Sequence, residues 1–510
     1  MAEAFLMGVD IGAGSLKSTV IDAAGAVRGT ASAPLVTAAP RPGWSEQDPQ
    51  AWWEALCRTA PQALRAAGIA PYRLAGIAVS AGAHTPVLTD RAGRVLRPAI
   101  LWSDTRSSAE AAELAAAYGP EILSIGHNQP QPTWTLAQLL WLSRHEPRVM
   151  EATARITVAK DWLRGRLTGG WETDPTEAVG TLLFDGQAGR WSDRLCGMIG
   201  LDMGLLPPVV APRDVVGHVR AEAAAATGLA EGTPVICGSS DTAVETLGAG
   251  ALRPGEGAVK LATAATLSVI GEAPTVDATL INYPFVVPGL WYTLGATNSC
   301  ASAHRWLAKT FYADAADTPD ALFAAMDAMA AEVPPGAAGL IFHPYLQGER
   351  SPHWDPKLRA DFLGMTFGHD RRHFVRALYE GIAFSLRDLL GQLQGRGLVL
   401  QEATIIGGGS HSALWRQIVA DVLGLPVSVP RVADASYGAA LMAGVGAGVF
   451  ADAAEAVATC VRIEARHEPD PARSAHYAEL HAVYRDAALA LQPISHRLGR
   501  LAEYPAGEGA

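Results

Sequence analysis

Apolar runs of strand length alternate with longer amphipathic segments along most of the chain. Residues 5–22 contain two apolar runs around a turn of small residues, and residues 257–271 repeat that arrangement. Each stretch predicts a β-hairpin. A turn of small residues lets backbone N–H groups approach an anion, because no large side chain stands in the way. The repeat therefore predicts a duplicated domain that holds a phosphate group between its two copies.

The same patterns predict further strands and helices between and after these hairpins. Predicted strands cover residues 74–80 and 95–102, and residues 235–241 read as a strand that runs into a turn. Predicted helices cover residues 49–67, 107–118, 135–145, 242–250 and 437–447. Ser45 or Asp48 would cap the first of these helices. Alternating strands and helices indicate the α/β class.

The chain of 510 residues is too long for a single hydrophobic core, so more than one domain is expected. The turn-rich residues 253–257 precede the second hairpin and mark the predicted boundary. We predict an N-terminal domain over residues 1–250, a C-terminal domain over residues 257–450, and a helical extension over residues 451–510 that packs on the second domain.

The composition of the chain argues against several classes of binding partner. A net charge of −11 argues against nucleic acid as the main partner, because phosphate backbones attract basic surfaces. The five cysteines are scattered without a C-x-x-C pair, which argues against a disulfide framework or a zinc site. No apolar run approaches the length of a membrane span, and no basic leader precedes the first strand. These features predict a cytoplasmic protein that binds neither nucleic acid nor a membrane.

Asp10 ends the first apolar run beside the small-residue turn. A carboxylate next to a phosphate would be repelled unless a cation lies between them, so the pattern predicts Mg²⁺. Ser15 and Lys17 could add a hydroxyl and a charge to the same phosphates. The alternative is an aspartate that caps its own turn.

Asp241 stands where a strand gives way to a helix. A carboxylate there could accept a proton from an attacking hydroxyl, and the alternative is a helix N-cap. His84, Trp102 and Asp104 also follow apolar runs and are candidates to bind a polyol, with core packing as the alternative. Glycines 407, 408 and 409 follow an apolar run and suit close approach to a flat ring or a phosphate.

Two hairpins with phosphate-binding turns form the layout of the two-lobed, actin-like ATP-binding enzymes. Residues 8–448 resemble the FGGY carbohydrate kinase family and are most similar to its xylulokinase branch. The segments that carry this resemblance are residues 44–49, 95–106, 160–169, 344–353, 360–380 and 407–421.

The resemblance implies two RNase H-like domains with ATP and sugar in the cleft between them. It implies that Asp241 is the base and that Asp10 holds Mg²⁺ directly or through water. It assigns the phosphates of ATP to Gly12, Ser15, Lys17, Thr263 and Thr266, and the rest of the nucleotide to Ala301, Arg305, Gly407, Gly408, Gly409 and Ser412. It assigns the sugar to Ala83, His84, Trp102, Asp104, Trp134 and Thr242.

The chain also departs from the family pattern. Ala13 stands where the first loop usually has threonine, and residues 262–265 read Ala-Thr-Ala-Ala where the second loop usually reads Gly-Thr-Ser-Gly. Replacing glycine restricts the backbone, and losing hydroxyls removes donors to the phosphate. Gly82 and Ala83 stand where xylulokinases have glutamine and methionine before the histidine.

We therefore predict an ATP- and Mg²⁺-dependent kinase for a primary hydroxyl of a small sugar, with a ketopentose such as xylulose favoured. Ribulose, a tetrulose, erythritol, glycerol or gluconate are the alternative substrates. A catalytically weak sugar- or nucleotide-binding regulatory protein is the alternative from another class. A dehydrogenase is the least favoured, because no G-x-G-x-x-G joins a strand to a helix. The sequence leaves open whether the protein forms a homodimer.

Overall fold

The computed structural model describes residues 4–314 and 318–502, which form two compact units. The first unit comprises residues 4–254, 270–293 and 431–462. The second comprises residues 255–269, 294–314, 318–430 and 463–502. Each unit is therefore assembled from segments that are far apart in the sequence.

Strands and helices alternate through both units. The strands are β1 Phe5–Ile11, β2 Ser15–Asp22, β3 Val27–Pro34, β4 Glu46–Gln47, β5 Leu74–Ala81, β6 Pro86–Thr89, β7 Ala99–Ile100, β8 Arg155–Val158, β9 Phe184–Asp185, β10 Arg190–Trp191, β11 Val215–His218, β12 Pro234–Ile236, β13 Glu256–Leu261, β14 Ala265–Gly271, β15 Ile281–Pro284, β16 Trp291–Ala296, β17 Ile341–His343, β18 Asp361–Leu363, β19 Glu402–Ile406, β20 Val427–Pro430 and β21 Ile463–His467. The helices are α1 Pro49–Ala67, α2 Ser108–Gly126, α3 Thr135–His145, α4 Pro147–Ala152, α5 Ala159–Thr168, α6 Pro175–Gly180, α7 Asp193–Met198, α8 Ala221–Thr227, α9 Asp241–Gly248, α10 Ala301–Phe311, α11 Pro319–Ala331, α12 Arg371–Gln394, α13 Ala413–Leu423, α14 Ala435–Gly446, α15 Ala453–Cys460 and α16 Pro471–Ala502.

A six-stranded sheet forms the centre of the first unit, in the order β11-β12-β5-β1-β2-β3. Strand β1 pairs antiparallel with β2 and parallel with β5, and β5 pairs parallel with β12. Strand β11 closes one edge as an antiparallel partner of β12. One face of this sheet packs against α1 and α5 in a core that contains Trp52, Leu56 and Leu163.

The second unit repeats this strand pattern. Strand β13 pairs antiparallel with β14 and parallel with β19. Strand β19 pairs parallel with β20, whose other neighbour is the antiparallel edge strand β21. Both units therefore have a hairpin, two further parallel strands and an antiparallel edge, which confirms the predicted repeat of the hairpin and its alternating pattern.

Local sequence signals explain the elements that were predicted closely. Asp48 accepts a hydrogen bond from Gln50 N, Pro49 begins α1, and Gly68 ends it with a left-handed φ of 66°. The predicted helix over residues 49–67 is thereby confirmed. Both hairpins, the strand beginning at Leu74 and the helix over residues 135–145 are confirmed as well.

Two predicted elements need correction. The strand predicted over residues 95–102 is limited to Ala99–Ile100, which pairs with Glu46–Gln47. An apolar run alone does not make a strand when only two of its residues join a ladder and a third, Val95, forms an isolated bridge with Thr89. The helix predicted over residues 107–118 continues to Gly126, because Pro120 does not end it.

Helix α14 packs unusually close to its neighbours in the first unit. A Cβ atom added at Gly8 on β1 would lie 1.8 Å from Ser436 O and 2.4 Å from Ala440 N. A Cβ atom added at Gly438 would lie 1.8 Å from Val244 O on α9. The backbones can approach this closely only because these positions lack a side chain.

No helix within residues 4–314 and 318–502 combines the length and the apolar character needed to cross a lipid bilayer.

We expect Gly8→Ala to destabilise the protein by roughly 2 kcal/mol or more, because the new methyl group would overlap backbone atoms that cannot rotate away. Urea unfolding monitored by tryptophan fluorescence measures this change. Gly197→Ala is the matched control, since a Cβ atom there meets nothing within 4 Å and lies in helix α7. Equal unfolding midpoints for the two variants would contradict the close packing of β1 and α14.

Candidate active site

Three candidate residues lie at the same edge of the first sheet. Strands β1, β5 and β12 run parallel, and Asp10, His84 and Asp241 lie at or just beyond their carboxyl ends. The bridge between Ala81 and Ser240 brings the segments after β5 and β12 side by side. Ligands of open α/β sheets bind outside the carboxyl ends of parallel strands. This edge is therefore the natural position for a site.

The first hairpin places its charged residues next to each other. Gly12 N donates to Ser15 O over 2.9 Å and closes the turn. Asp10 and Lys17 are directly opposite in the β1–β2 ladder. Lys17 Nζ forms an ion pair with Asp434 Oδ2 at 2.9 Å. The predicted phosphate ligand Lys17 is thus oriented by a carboxylate from α14.

Asp10 occupies a strongly acidic environment. Ser80 donates to Asp10 Oδ1 over 2.8 Å. Burial, followed by repulsion from Asp241 and then from Glu245 and Asp434, raises the pKa of Asp10 to about 8. Hard divalent cations such as Mg²⁺ prefer oxygen ligands of this kind. The described residues nevertheless contain no group of three or more acidic, histidine or cysteine side chains arranged to bind a metal by themselves.

Asp241 is the first residue of α9, and Ser240 is the N-cap. The alternative role of Asp241 as the cap is therefore not the one seen. Its Oδ1 accepts hydrogen bonds from Thr242 N at 2.6 Å and Thr242 Oγ1 at 3.2 Å. The side chain is only partly buried, so Thr242 orients a carboxylate that solvent or a ligand can reach.

His84 is buried and has a left-handed φ of 49°. Its ring stacks on Trp134 with centroids 4.7 Å apart, and Trp134 in turn stacks on Tyr283 at 5.8 Å. His84 N donates to Glu177 Oε2 over 2.6 Å. The ring atom Nδ1 is buried and has no hydrogen-bond partner among the described residues, which leaves it available to a ligand.

Trp102 and Asp104 have different environments although they are two residues apart. Trp102 is 47% exposed and lines a small pocket with Gly12 and Gly82. A Cβ atom at Gly82 would lie 2.9 Å from Trp102 Cδ1, so the indole fills the space that a larger residue would need. Asp104 is fully buried and binds Arg106 and Ser45 N.

The turn of the second hairpin is held by the start of α10. Thr263 O accepts hydrogen bonds from Cys300 N at 3.0 Å and Ser302 Oγ at 2.7 Å. Ala301 N donates to Ala262 O over 2.8 Å. Arg305 Nη2 donates to Thr263 Oγ1 over 3.2 Å. The structure thus brings together Thr263, Ala301 and Arg305, and it places Thr266 just beyond the turn on β14.

The three glycines follow β19 and pack against the end of β13. Gly407 has a φ of 87°, and a Cβ atom there would lie 2.7 Å from Leu261 O. A Cβ atom at Gly409 would lie 2.7 Å from the Leu261 side chain, whereas Gly408 is open. Ser412 caps α13 and donates to Asp327 Oδ1 over 2.6 Å. Gly408 is therefore the glycine whose surface a ligand could cover.

Comparison with known proteins identifies the family of the chain. The family model described as "FGGY family of carbohydrate kinases, N-terminal domain" matches residues 5–248. The corresponding C-terminal domain model matches residues 257–447. The chain belongs to the FGGY family of carbohydrate kinases. It is accordingly a sugar kinase, and kinases of this family use ATP.

Individual FGGY kinases resemble the chain over nearly its whole length. The xylulose kinase of Bacillus subtilis (strain 168) is 30% identical over 94% of this chain and 96% of its own. The autoinducer-2 kinase of Escherichia coli O139:H28 is 31% identical over 95% of this chain and 92% of its own. The crystal structure of xylulose kinase from Rhodospirillum rubrum matches with a TM-score of 0.89 and 33% identity, covering 96% of this chain and 100% of that one. These similarities confirm the predicted α/β class with two RNase H-like, actin-like domains.

Several contacts in this FGGY kinase were not predicted from the sequence. They involve Ser80 at Asp10, Asp434 at Lys17, Glu177 at the His84 backbone, and Tyr283 in the aromatic stack. Asp434 carries the local signal of a helix N-cap, which it is. Its partner Lys17 is separated by 417 residues, so no local pattern indicates that ion pair.

Burial lowers the pKa of His84 to about 4. The unfolded chain binds this proton near the ordinary value of about 6.5, so His84 contributes stability above that pH and the contribution is lost as the pH falls toward 4. We expect the His84 imidazole to remain neutral between about pH 5 and pH 8. NMR titration of the histidine ring carbons measures this, with His84→Gln identifying the resonance. A midpoint near the ordinary value would contradict the buried environment.

Proposed function

We propose that the chain transfers the γ-phosphoryl group of ATP to a primary hydroxyl of a small ketose or polyol, with xylulose favoured. The observation that carries this proposal is the convergence of Asp10, His84 and Asp241 at the carboxyl ends of three adjacent parallel strands. The relatives named xylulose kinase support the choice of acceptor. The five free thiols support a reducing, cytoplasmic location for the reaction.

Asp241 would act as the general base. Thr242 fixes one of its oxygens through two hydrogen bonds, which supports a single orientation of the carboxylate. A carboxylate within hydrogen-bond reach of the sugar hydroxyl takes its proton as the oxygen attacks the γ-phosphorus. Positioning of the two reactants supplies much of the rate, because phosphoryl transfer demands little covalent chemistry of the protein.

Asp10 fits a Mg²⁺ site. Water removal and three neighbouring carboxylates, those of Asp241, Glu245 and Asp434, disfavour its charged form. A divalent cation restores that form and prefers such oxygen donors. Mg²⁺ commonly binds one or two carboxylates together with nucleotide phosphates, so a larger protein cluster is unnecessary. The metal would neutralise charge on the transferred group, while Asp10 would hold it directly or through water.

The segment around His84 would bind the sugar. The orphaned Nδ1 and the neutral ring at physiological pH support a hydrogen bond to a sugar hydroxyl. Trp134 stacks beneath this ring and keeps it in place. Trp102 is exposed beside Gly82 and supports an apolar contact with the carbon skeleton, whereas Ala83 and Thr242 would complete the wall. Asp104, being fully engaged, would hold the loop that carries Trp102.

The nucleotide would use both hairpins and the glycine segment. Gly12, Ser15 and Lys17 of the first hairpin, and Thr263 and Thr266 of the second, are the proposed phosphate ligands. Ala301, Arg305, Gly407, Gly408, Gly409 and Ser412 are the proposed contacts to the rest of the nucleotide. The bond between Arg305 and Thr263 supports the assignments in the second unit, because it aligns a cation and a hydroxyl at one turn.

The acceptor is tested by ADP release from ATP and Mg²⁺ across a panel of sugars. The panel contains xylulose, ribulose, a tetrulose, erythritol, glycerol and gluconate. It also contains autoinducer-2, because one relative is named autoinducer-2 kinase. Strong release with one compound identifies the acceptor. If no compound causes ADP release although ATP still binds, the alternative of a catalytically weak regulatory protein is favoured. The missing hydroxyls at Ala13 and Ala264 support that alternative.

Asp241→Asn is expected to lower kcat by about 10²–10⁴-fold, because the amide cannot accept the proton. ATP binding, measured by isothermal titration, should change little. Asp202→Asn is the matched control, since Asp202 is an exposed cap whose amide replacement still accepts the bond from Gly204 N. Retention of most of the activity by Asp241→Asn would refute its assignment as the base.

Thr263→Val should lower kcat by about 10- to 100-fold, which corresponds to the loss of one hydrogen bond to a charged group, about 1.5–3 kcal/mol. Thr263→Ser keeps the hydroxyl and should keep most of the activity. Steady-state kinetics with saturating sugar measure both variants. Similar rates for valine and serine at this position would show that the hydroxyl does not contact the phosphate.

A further inference from the structure

A cluster of charged side chains lies entirely inside the first unit, behind the proposed sugar and base positions. Lys160 Nζ lies 2.6 Å from Asp161 Oδ1 and 2.9 Å from Asp174 Oδ1. Arg164 Nη1 lies 3.0 Å from Asp161 Oδ1. The side chains of these four residues have no solvent exposure. Glu177 is also buried, with 1% of its surface exposed.

Opposite charges face each other within this cluster. Burial, repulsion by Asp174 and repulsion by Asp161 hold the pKa of Glu177 well above its usual range, although Lys160 opposes the shift. These effects disfavour the charged form of Glu177. Lys160 and Arg164 face the carboxylates of Asp161 and Asp174, and Glu172 Oε2 lies 3.4 Å from Arg164 Nη2. Apolar residues of similar volume often replace a buried ion cluster without loss of stability. The contacts of this cluster indicate a role other than stability.

One arm of the cluster reaches the turn that precedes Asp241. Ser239 Oγ donates to Asp174 Oδ2 over 2.8 Å. Arg164 Nη1 donates to Cys237 O over 3.0 Å. Gly238 between them has a φ of 72°, and a Cβ atom there would lie 2.2 Å from Val79 O. The turn that carries Asp241 is therefore held against β5 on one side and bonded to buried charges on the other.

The other arm reaches the segment of His84. Glu177 Oε2 accepts a hydrogen bond from His84 N over 2.6 Å. This bond holds a residue whose left-handed φ is unfavourable for a non-glycine side chain. Asp174 caps α6 by accepting from Thr176 N at 3.1 Å, and Glu177 lies in the first turn of that helix. A single capped turn thus carries both the carboxylate bonded to Ser239 and the carboxyl bonded to His84.

We propose that Lys160, Asp174 and Glu177 are positioning residues that couple the Asp241 turn to the His84 segment, so that base and sugar are held in one geometry. Lys160 orients Asp174, Asp174 holds Ser239, and Glu177 holds the His84 backbone. This inference rests on the proposed function. Errors of about 1 Å in the placement of reacting groups can reduce a rate by about 100-fold, so such positioning is open to kinetic measurement.

Ser239→Ala tests the first arm without burying a lone charge. We expect kcat with D-xylulose to fall about tenfold or more, and KM for ATP to stay within about twofold, because only the geometry of the base changes. Thr227→Val is the matched control, since that fully buried hydroxyl donates to Ala223 O over 2.6 Å in α8. An equal loss of kcat in Thr227→Val, or no loss in Ser239→Ala, would overturn the inference.

Glu177 tests the second arm by comparison of two variants. Glu177→Gln keeps an acceptor oxygen for His84 N and should leave KM for D-xylulose within about twofold. Glu177→Leu removes the acceptor and should raise that KM by about tenfold or more. Equal values for the two variants would overturn the assignment of Glu177.

A double-mutant cycle separates this inference from the proposed function. Urea unfolding of Ser239→Ala, Asp174→Ala and the double variant needs no enzymatic activity. We expect the midpoint of the double variant to lie closer to that of Asp174→Ala than to the sum of the two single shifts, because each change removes the bond between Ser239 Oγ and Asp174 Oδ2. Additive shifts would overturn the coupling even in an active kinase. A coupled cycle in a chain inactive toward every sugar would instead refute the proposed function alone.

Discussion

The burial of a carboxylate at the end of β1 is the constraint on which the site of the first unit depends. Asp10 loses water and faces three other carboxylates, and its pKa rises to about 8. Such an arrangement opposes stability, because an uncompensated buried charge is costly. Proteins retain such costs mainly where a ligand relieves them. The electrostatics of this edge therefore support the proposal that Mg²⁺ and the phosphates of ATP bind there.

Close backbone packing brings these carboxylates together from distant parts of the sequence. Helix α14 contacts β1 at Gly8 and α9 at Gly438, where no side chain separates the backbones. The first turns of both helices consequently lie near the end of β1, with Asp434 at one N-terminus and Asp241 at the other. Residues carried on helices and strands keep their geometry better than residues on loops. The close packing at these glycines thus also brings together the carboxylates that set the electrostatics of the site.

The sequence predicts those features that depend only on residues close together in the chain. Hairpins, helix α1 and the strand after Leu74 follow from apolar periodicity, small-residue turns and the cap at Asp48. The strand predicted over residues 95–102 was too long, because pairing with Glu46 and Gln47, and not apolar character, limits that strand to two residues. The ion pair between Lys17 and Asp434 depends on tertiary packing across 417 residues. No local pattern indicates that Lys160 and Asp174 are buried, and only the fold reveals it.

The alanines in the turns of the two hairpins bear on whether the chain is a fully active kinase or a catalytically weak binding protein. The backbone at Ala13, Ala262 and Ala265 stays outside the left-handed region, so alanine is tolerated there. The second turn is shaped by backbone bonds, such as that from Ala301 N to Ala262 O, which alanine supports as well as glycine does. The substitutions at Ala13 and Ala264 therefore remove hydroxyl donors, whereas those at Ala262 and Ala265 leave the path of the chain unchanged. Because one hydrogen bond to a charged group is worth about 1.5–3 kcal/mol, the loss of two hydroxyls would slow phosphoryl transfer by roughly 10²–10⁴-fold and would leave the proposed roles of Asp10 and Asp241 in place.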